Sequence, residues 1–151
     1  MSDINQLYHE VIVDHGRHPR NFGSLEDAIH LVGRNPVCGD TLTLYLQMKD
    51  EVIVDAKFEG QGCAISVAST SLMIQAIKGK KVSEAKILFH AFHALIVDKK
   101  NTEELQSNLG KLMILAGVAE YPSRVKCATL GWQTLMALLT GKQDVVSTEA
   151  P

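Results

Sequence analysis

Between Thr41 and Glu59 the chain alternates polar and apolar residues along two successive runs, and this pattern restricts the fold more than any other stretch. Leu42, Leu44, Leu46 and Met48 interleave with Thr41, Thr43, Tyr45 and Gln47, which is the two-residue period of a strand with one buried face. Lys49-Asp50-Glu51 makes a polar turn. On the return, Val52, Val54, Ala56 and Phe58 alternate with Ile53, Asp55, Lys57 and Glu59. Strands joined by so short a turn pair antiparallel. A mixed run from Ala28 to Arg34 predicts a further strand, so a small antiparallel sheet is expected.

The rest of the chain has helical spacing. Ile4, Leu7, Tyr8, Val11 and Ile12 mark an N-terminal helix that Ser2 or Asp3 can cap and that Gly16 and Pro19 end. The basic stretch from His15 to Asn21 then reads as a solvated turn. Ala64 to Lys78 lacks glycine and proline and predicts a helix with Cys63 at its start, its small residues allowing close packing on the sheet. Ser83 is the expected N-cap of a helix to about Val97. Asn101 and Glu104 have capping-box spacing for a helix reaching Gly117, and Arg124 to Leu139 is helix-compatible up to Gly141. The expected organisation is one domain over residues 1–141 and a disordered tail over 142–151.

Composition narrows the function classes. The net charge is −2 over 151 residues and the basic residues are scattered, which gives no footprint for nucleic acid. No apolar run reaches the roughly 20 residues that span a bilayer, and the polar start is not a signal peptide. The chain reads as cytoplasmic. Its three cysteines, an odd number, point away from a disulfide framework and toward metal binding or thiol chemistry, with buried inert thiols as the plain alternative.

Two of the cysteines fall at helix starts and one in a loop. Asn35-Pro36-Val37-Cys38-Gly39-Asp40 places a thiol and a carboxylate two residues apart where no regular helix can form. Cys63 follows Gly60-Gln61-Gly62, and Cys127 lies near the start of the last helix beside Lys126 and Arg124. A helix N-terminus and nearby cations favour thiolate over thiol. If folding gathers Cys38, Asp40, Cys63 and Cys127, three thiolates and a carboxylate suit tetrahedral Zn²⁺. No CxxC pair is present, so spacing alone does not establish the site. His90 and His93 share a helix face but sit beside Phe89 and Phe92, as partly buried structural residues do.

Four segments together carry a family resemblance: Asp14-His15-Gly16-Arg17-His18-Pro19-Arg20-Asn21, the Asn35–Asp40 loop, Gly60-Gln61-Gly62-Cys63-Ala64-Ile65-Ser66 with Ala68-Ser69-Thr70-Ser71, and Tyr121-Pro122-Ser123-Arg124-Val125-Lys126-Cys127-Ala128. From Tyr8 to Leu139 the chain resembles the IscU/NifU-N-terminal group of iron–sulfur cluster assembly proteins, and within it the SufU branch. The resemblance implies an α+β fold, with a three-stranded antiparallel sheet carrying helices and a metal site at one end. It implies Cys38, Asp40, Cys63 and Cys127 as metal ligands. IscU-type scaffolds have a histidine before the third cysteine and a chaperone-recognition motif around it. Here Lys126 holds that position, the motif is missing, and extra chain including Asn101 to Gly117 separates the second and third cysteines, as in SufU.

The SufU pattern implies a zinc-dependent sulfur acceptor, a sulfurtransferase-like carrier. Its partners would be a SufS-type cysteine desulfurase and a downstream iron–sulfur scaffold. Cys38, held in a glycine-flanked loop, is the ligand expected to come off and receive sulfur, with Arg124 steadying the released thiolate or pairing with a surface acid. The alternative is a scaffold that builds a [2Fe–2S] cluster on the same residues and passes it on, since soft thiolates serve both metals.

Overall fold

The computed structural model describes residues 3–37, 39–142 and 144–147, with side chains described from Tyr8 onward. The predicted hairpin is present as β2 (Asp40–Lys49) and β3 (Val52–Gln61), and β1 (Ile29–Asn35) pairs antiparallel with the other edge of β2. Asp50 and Glu51 both take positive φ, 53° and 65°. Two successive left-handed residues match the right-handed twist of the flanking strands and close the hairpin in two residues.

The alternation along β3 is interrupted. Leu46 opposes Ala56 and Gln47 opposes Asp55, but Met48 opposes Ile53, which leaves Val54 as the extra residue of a bulge. Beyond the bulge the buried face changes parity. Ile53 is therefore fully buried, whereas Val54 is 47% exposed. Leu31, Leu42, Leu44, Leu46, Ala56 and Phe58 complete the buried face of the sheet.

The sheet has four strands, not the three expected, in the order β3-β2-β1-β4. The added strand, β4 (Val146–Ser147), lies within the stretch read as a tail and pairs parallel with β1 through Gly33 and Arg34. Two residues are too few to carry a periodic signal, and the pairing depends on an edge supplied more than a hundred residues earlier in the chain.

Helices cover one face of the sheet. They are α1 (Asp3–Arg17), α2 (Ala64–Ile77), α3 (Val82–Ile96), α4 (Glu103–Leu109) and α5 (Pro122–Leu139), with a 3₁₀ stretch (Gly110–Glu120) between α4 and α5. No helix among the described residues is long and apolar enough to cross a membrane. The helix expected from Asn101 to Gly117 is divided. Thr102 caps α4 by accepting a hydrogen bond from the Leu105 N–H at 3.2 Å, and α4 stops where Gly110 takes a φ of 51°. Lys81 rather than Ser83 occupies the N-cap of α3, its N–H bonded to Glu84.

Helix α2 is the centre of the helical layer, packed between α1 and α5. Its small residues mostly face helices, not the sheet as expected. Ser69 Oγ donates to the Ala128 carbonyl of α5 at 2.6 Å, and a Cβ on Gly131 would lie 2.4 Å from Thr70 Oγ1. On the other side α1 continues through Gly16, where an added Cβ would come within 3.1 Å of the Ala64 side chain. Close approach on both flanks brings the first residues of α2 and the N-terminal half of α5 together at the end of the sheet where β2 begins.

Candidate metal centre

Asp40 is the first residue of β2 and pairs with Asn35 across the loop between β1 and β2. Asn35, fully buried, holds both ends of that loop. Its side-chain oxygen accepts from Val37 N–H at 3.2 Å, and its carbonyl accepts from Gly39 N–H at 2.8 Å. Cys38, expected at this site, lies outside the described residues.

Three of the four expected ligands come together. Asp40, Cys63 and Cys127 each place a ligand atom within 4.8 Å of the others. Asp40 is 2% exposed and Cys127 1%, while Cys63 is half-buried. Cys63 is the N-cap residue of α2, and its N–H donates to Asp40 Oδ1 at 3.0 Å. Its sulfur lies 3.9 Å from Asp40 Oδ2. Tetrahedral zinc bonds of ordinary length would set a sulfur and an oxygen ligand about 3.5 Å apart, so this edge is already close to that geometry. Cys127 is in the second turn of α5, its sulfur 3.6 Å from the Ser123 carbonyl.

The donor set fits a divalent cation. Among the described residues the ion pairs are Asp14–Arg20, Asp55–Lys78 and His93–Asp98, and none reaches Asp40. A buried carboxylate with one backbone donor needs further compensation. A cation between Oδ2, which the Cys63 sulfur approaches at 3.9 Å, and the two sulfurs would supply it. Gly62 leaves room for the carboxylate, because a Cβ there would stand 2.7 Å from Asp40 Oδ1.

Arg124 is exposed in the first turn of α5 and lines an open groove together with Cys63. No histidine joins the cluster among the described residues. His90 is exposed, and His93 is partly exposed with Nδ1 3.8 Å from Asp98.

Two structural contributions were not read from the sequence. In the sequence Gly62 is only the residue before Cys63, and its contact with Asp40 has no local signal. His15 was placed in a solvated turn, yet it lies in α1 at 2% exposure with Nδ1 2.8 Å from Ser71 Oγ. Burial, followed by the charges of Arg20 and Lys111, holds its pKa below the ordinary 6.5 against the opposing pull of Asp14. The signal was present: His15 follows Val11 by four and Ile12 by three residues, which continues the apolar face of the helix.

Residues 7–128 match the family model of the NifU-like N terminal domain. The chain belongs to this family. It is 42% identical over 134 residues to the zinc-dependent sulfurtransferase SufU of Bacillus subtilis, covering 89% of this chain and 90% of that one. It is 38% identical over 135 residues to the iron–sulfur cluster assembly scaffold protein IscU of Streptococcus pyogenes serotype M1, covering 89% and 84%. The crystal structure of FiSufU of the SUF system from Fervidobacterium islandicum AW-1 superposes with a TM-score of 0.82 at 38% identity, covering 89% of this chain and 98% of that one. This member of the family therefore carries its α+β fold with the cluster at one end of the sheet.

Proposed function

We propose that this chain is a cytoplasmic zinc-dependent sulfur acceptor in iron–sulfur cluster assembly, taking persulfide sulfur from a SufS-type cysteine desulfurase and passing it to a downstream scaffold. The observation that carries the reading is the convergence of Asp40, Cys63 and Cys127 where Cys63 opens on a groove. Similarity to a zinc-dependent sulfurtransferase over most of the chain supports it. Zn²⁺ would be held by these three residues with Cys38 as the fourth, keeping the sulfurs as thiolates and tying together β2, α2 and α5.

In this reading Cys38 is the acceptor. Its thiolate attacks the terminal sulfur of the desulfurase persulfide, a new S–S bond forms, the old one breaks, and the desulfurase cysteine leaves as thiolate. No oxidant is consumed. Arg124, on the groove beside Cys63, would steady the negative charge during the exchange.

The second reading, a [2Fe–2S] scaffold, is favoured by the similarity to a scaffold IscU and uses the same donors. Metal analysis of the purified chain, combined with a desulfurase assay in the presence of cysteine, separates the two. One zinc per chain with a marked rate increase is expected, together with loss of that increase in Cys38→Ala. A stable cluster formed on anaerobic reconstitution and delivered to an apo-protein would replace the zinc reading.

A further inference from the structure

Asn35 ends β1 and is fully buried, whereas Val37, two residues on, is 74% exposed. The amide is therefore the inner anchor of an outward turn. Pro36 has no N–H to donate, and the N–H groups of Val37 and Gly39 both end on Asn35, at its side-chain oxygen and its carbonyl (3.2 and 2.8 Å). Gly39 takes a φ of 78°, the left-handed conformation that returns the chain to β2. Any residue at position 35 could accept at the carbonyl. The side-chain bond is specific to residue type: an Asn oxygen that accepts from the N–H two residues on reproduces a backbone turn. Burying a polar amide costs free energy unless its hydrogen bonds are made, and here the bond it makes shapes the turn that contains Cys38.

The neutrality of Asn35 matters as well. Asn35 and Asp40 are direct partners across β1 and β2, so both side chains stand on the buried face of the sheet. Aspartate at position 35 could accept the same bond but would set a second carboxylate opposite Asp40, and like charges directly opposite destabilise a strand pair. Asparagine supplies the acceptor without the charge. We propose that Asn35 is a positioning residue of the candidate metal centre, its side-chain amide holding the turn after β1 in the form that delivers the Cys38 thiolate to the metal. The inference rests on the four-ligand reading above and adds what aims the fourth ligand. Asn35 acts through Cys38 and does not bind the metal itself. With the turn already shaped, less chain entropy is lost when the thiolate binds.

Asn35→Ala removes the side-chain acceptor, and Asn35→Ser keeps a neutral one that accepts more weakly. Each is made in the wild-type and in the Cys38→Ala background. Zinc affinity is read by competition with a chromophoric chelator, and Co²⁺ loading reports the number of bound thiolates from the sulfur-to-metal charge-transfer band. In the wild-type background Asn35→Ala should weaken zinc binding by about 10- to 100-fold, and Asn35→Ser by less. In the Cys38→Ala background both effects should shrink to within about twofold. The cobalt band of Asn35→Ala should fall toward that of Cys38→Ala. A purely structural role would weaken binding equally in both backgrounds, and that result overturns the proposal. So does a zinc affinity of Asn35→Ala within about twofold of wild type. Should Asn35→Ala fail to fold by circular dichroism, Asn35→Ser decides through the same cycle. If Cys38→Ala itself keeps the wild-type zinc affinity and cobalt band, the four-ligand reading fails and the positioning role with it. These measurements need no desulfurase, so a zinc-loaded wild type that accepts no sulfur would overturn the acceptor reading and leave the positioning role standing.

Discussion

Gly62→Ala isolates the contact that shapes the candidate site. The backbone at Gly62 has no left-handed φ, so alanine is conformationally acceptable there, and the whole effect is steric. Its Cβ would stand 2.7 Å from Asp40 Oδ1, 3.0 Å from Cγ and 3.2 Å from Cβ. The carboxylate must then retreat by several tenths of an ångström, and the Cys63 N–H bond to Oδ1, now 3.0 Å, is stretched or lost. A buried charged acceptor deprived of a donor costs about 1–3 kcal/mol, and overpacking adds a comparable amount where the surroundings are rigid. We expect urea unfolding of the metal-free variant to show a loss of about 2 kcal/mol. Zinc affinity, read by competition with a chromophoric chelator, should fall by about tenfold or more, since each 1.4 kcal/mol is a factor of ten. A double-mutant cycle with Asp40→Ala tests the cause, because that variant removes the two atoms Gly62→Ala would approach most closely. The alanine at 62 should cost at least about 1 kcal/mol less in that background. Equal costs in both backgrounds, or zinc affinity within twofold of wild type, would refute the reasoning.

Metal removal should expose how far the site supports the fold: at a thousandfold excess of zinc over Kd, binding adds about 4 kcal/mol, or roughly 10 °C in Tm for a chain of this size, which a chelator abolishes and Cys127→Ser largely prevents. His15 sets part of the pH dependence. Its folded pKa lies below the unfolded value, so the unfolded chain binds the extra proton first; stability is full above about pH 6.5 and declines as pH falls below it. Urea unfolding of the chelated chain between pH 5 and 7.5 should show that decline, and His15→Gln should flatten it. The bulge predicts opposite tolerance at neighbouring positions: Val54→Thr should change stability by no more than about 0.5 kcal/mol, whereas Ile53→Ala should cost about 2–5 kcal/mol by chemical denaturation.

Features that a single segment encodes were legible in the sequence, and features created between segments were not. The β2–β3 pairing, the helix beginning after Cys63 and the body of α5 from Arg124 onward each follow from local period, turn chemistry or capping, while the first turn of α5 at Pro122 lies before the expected start. The bulge at Val54 does not, since Val52, Val54, Ala56 and Phe58 keep an unbroken alternation and only the partner strand's register shows the extra residue. Strand β4 is invisible for the same reason. The cluster was legible as a set of residue types, and its family resemblance named the set, but the placement of Asp40 depends on Gly62, and that of Cys127 on the close contact of Gly131 with Thr70. His15 is a different case: its spacing was readable, and the expectation that Gly16 would end the helix obscured it. Gly16 stays helical because α1 crosses Ala64 there.

Burial also ranks the two described cysteines by what can reach them. Cys127 is 1% exposed, inside the contact of α5 with α2, so a reagent reaches it only after local opening. Cys63 is half-buried and stands in the wall of the groove, so access to it needs no rearrangement of a helix. Alkylation requires both thiolate and access. In the chelated, metal-free chain, iodoacetamide should therefore modify Cys63 at least about tenfold faster than Cys127, as read by peptide mass spectrometry at short times. Saturating zinc should slow both, because a sulfur bound to the metal shares electron density with it and is a weaker nucleophile. The two sulfurs then differ in role. In the proposed site Cys127 would anchor the donor set from the core side, and Cys63 would present it at the surface. Equal alkylation rates in the metal-free chain would mean that α5 opens as readily as the groove, and the anchoring role of Cys127 would be lost.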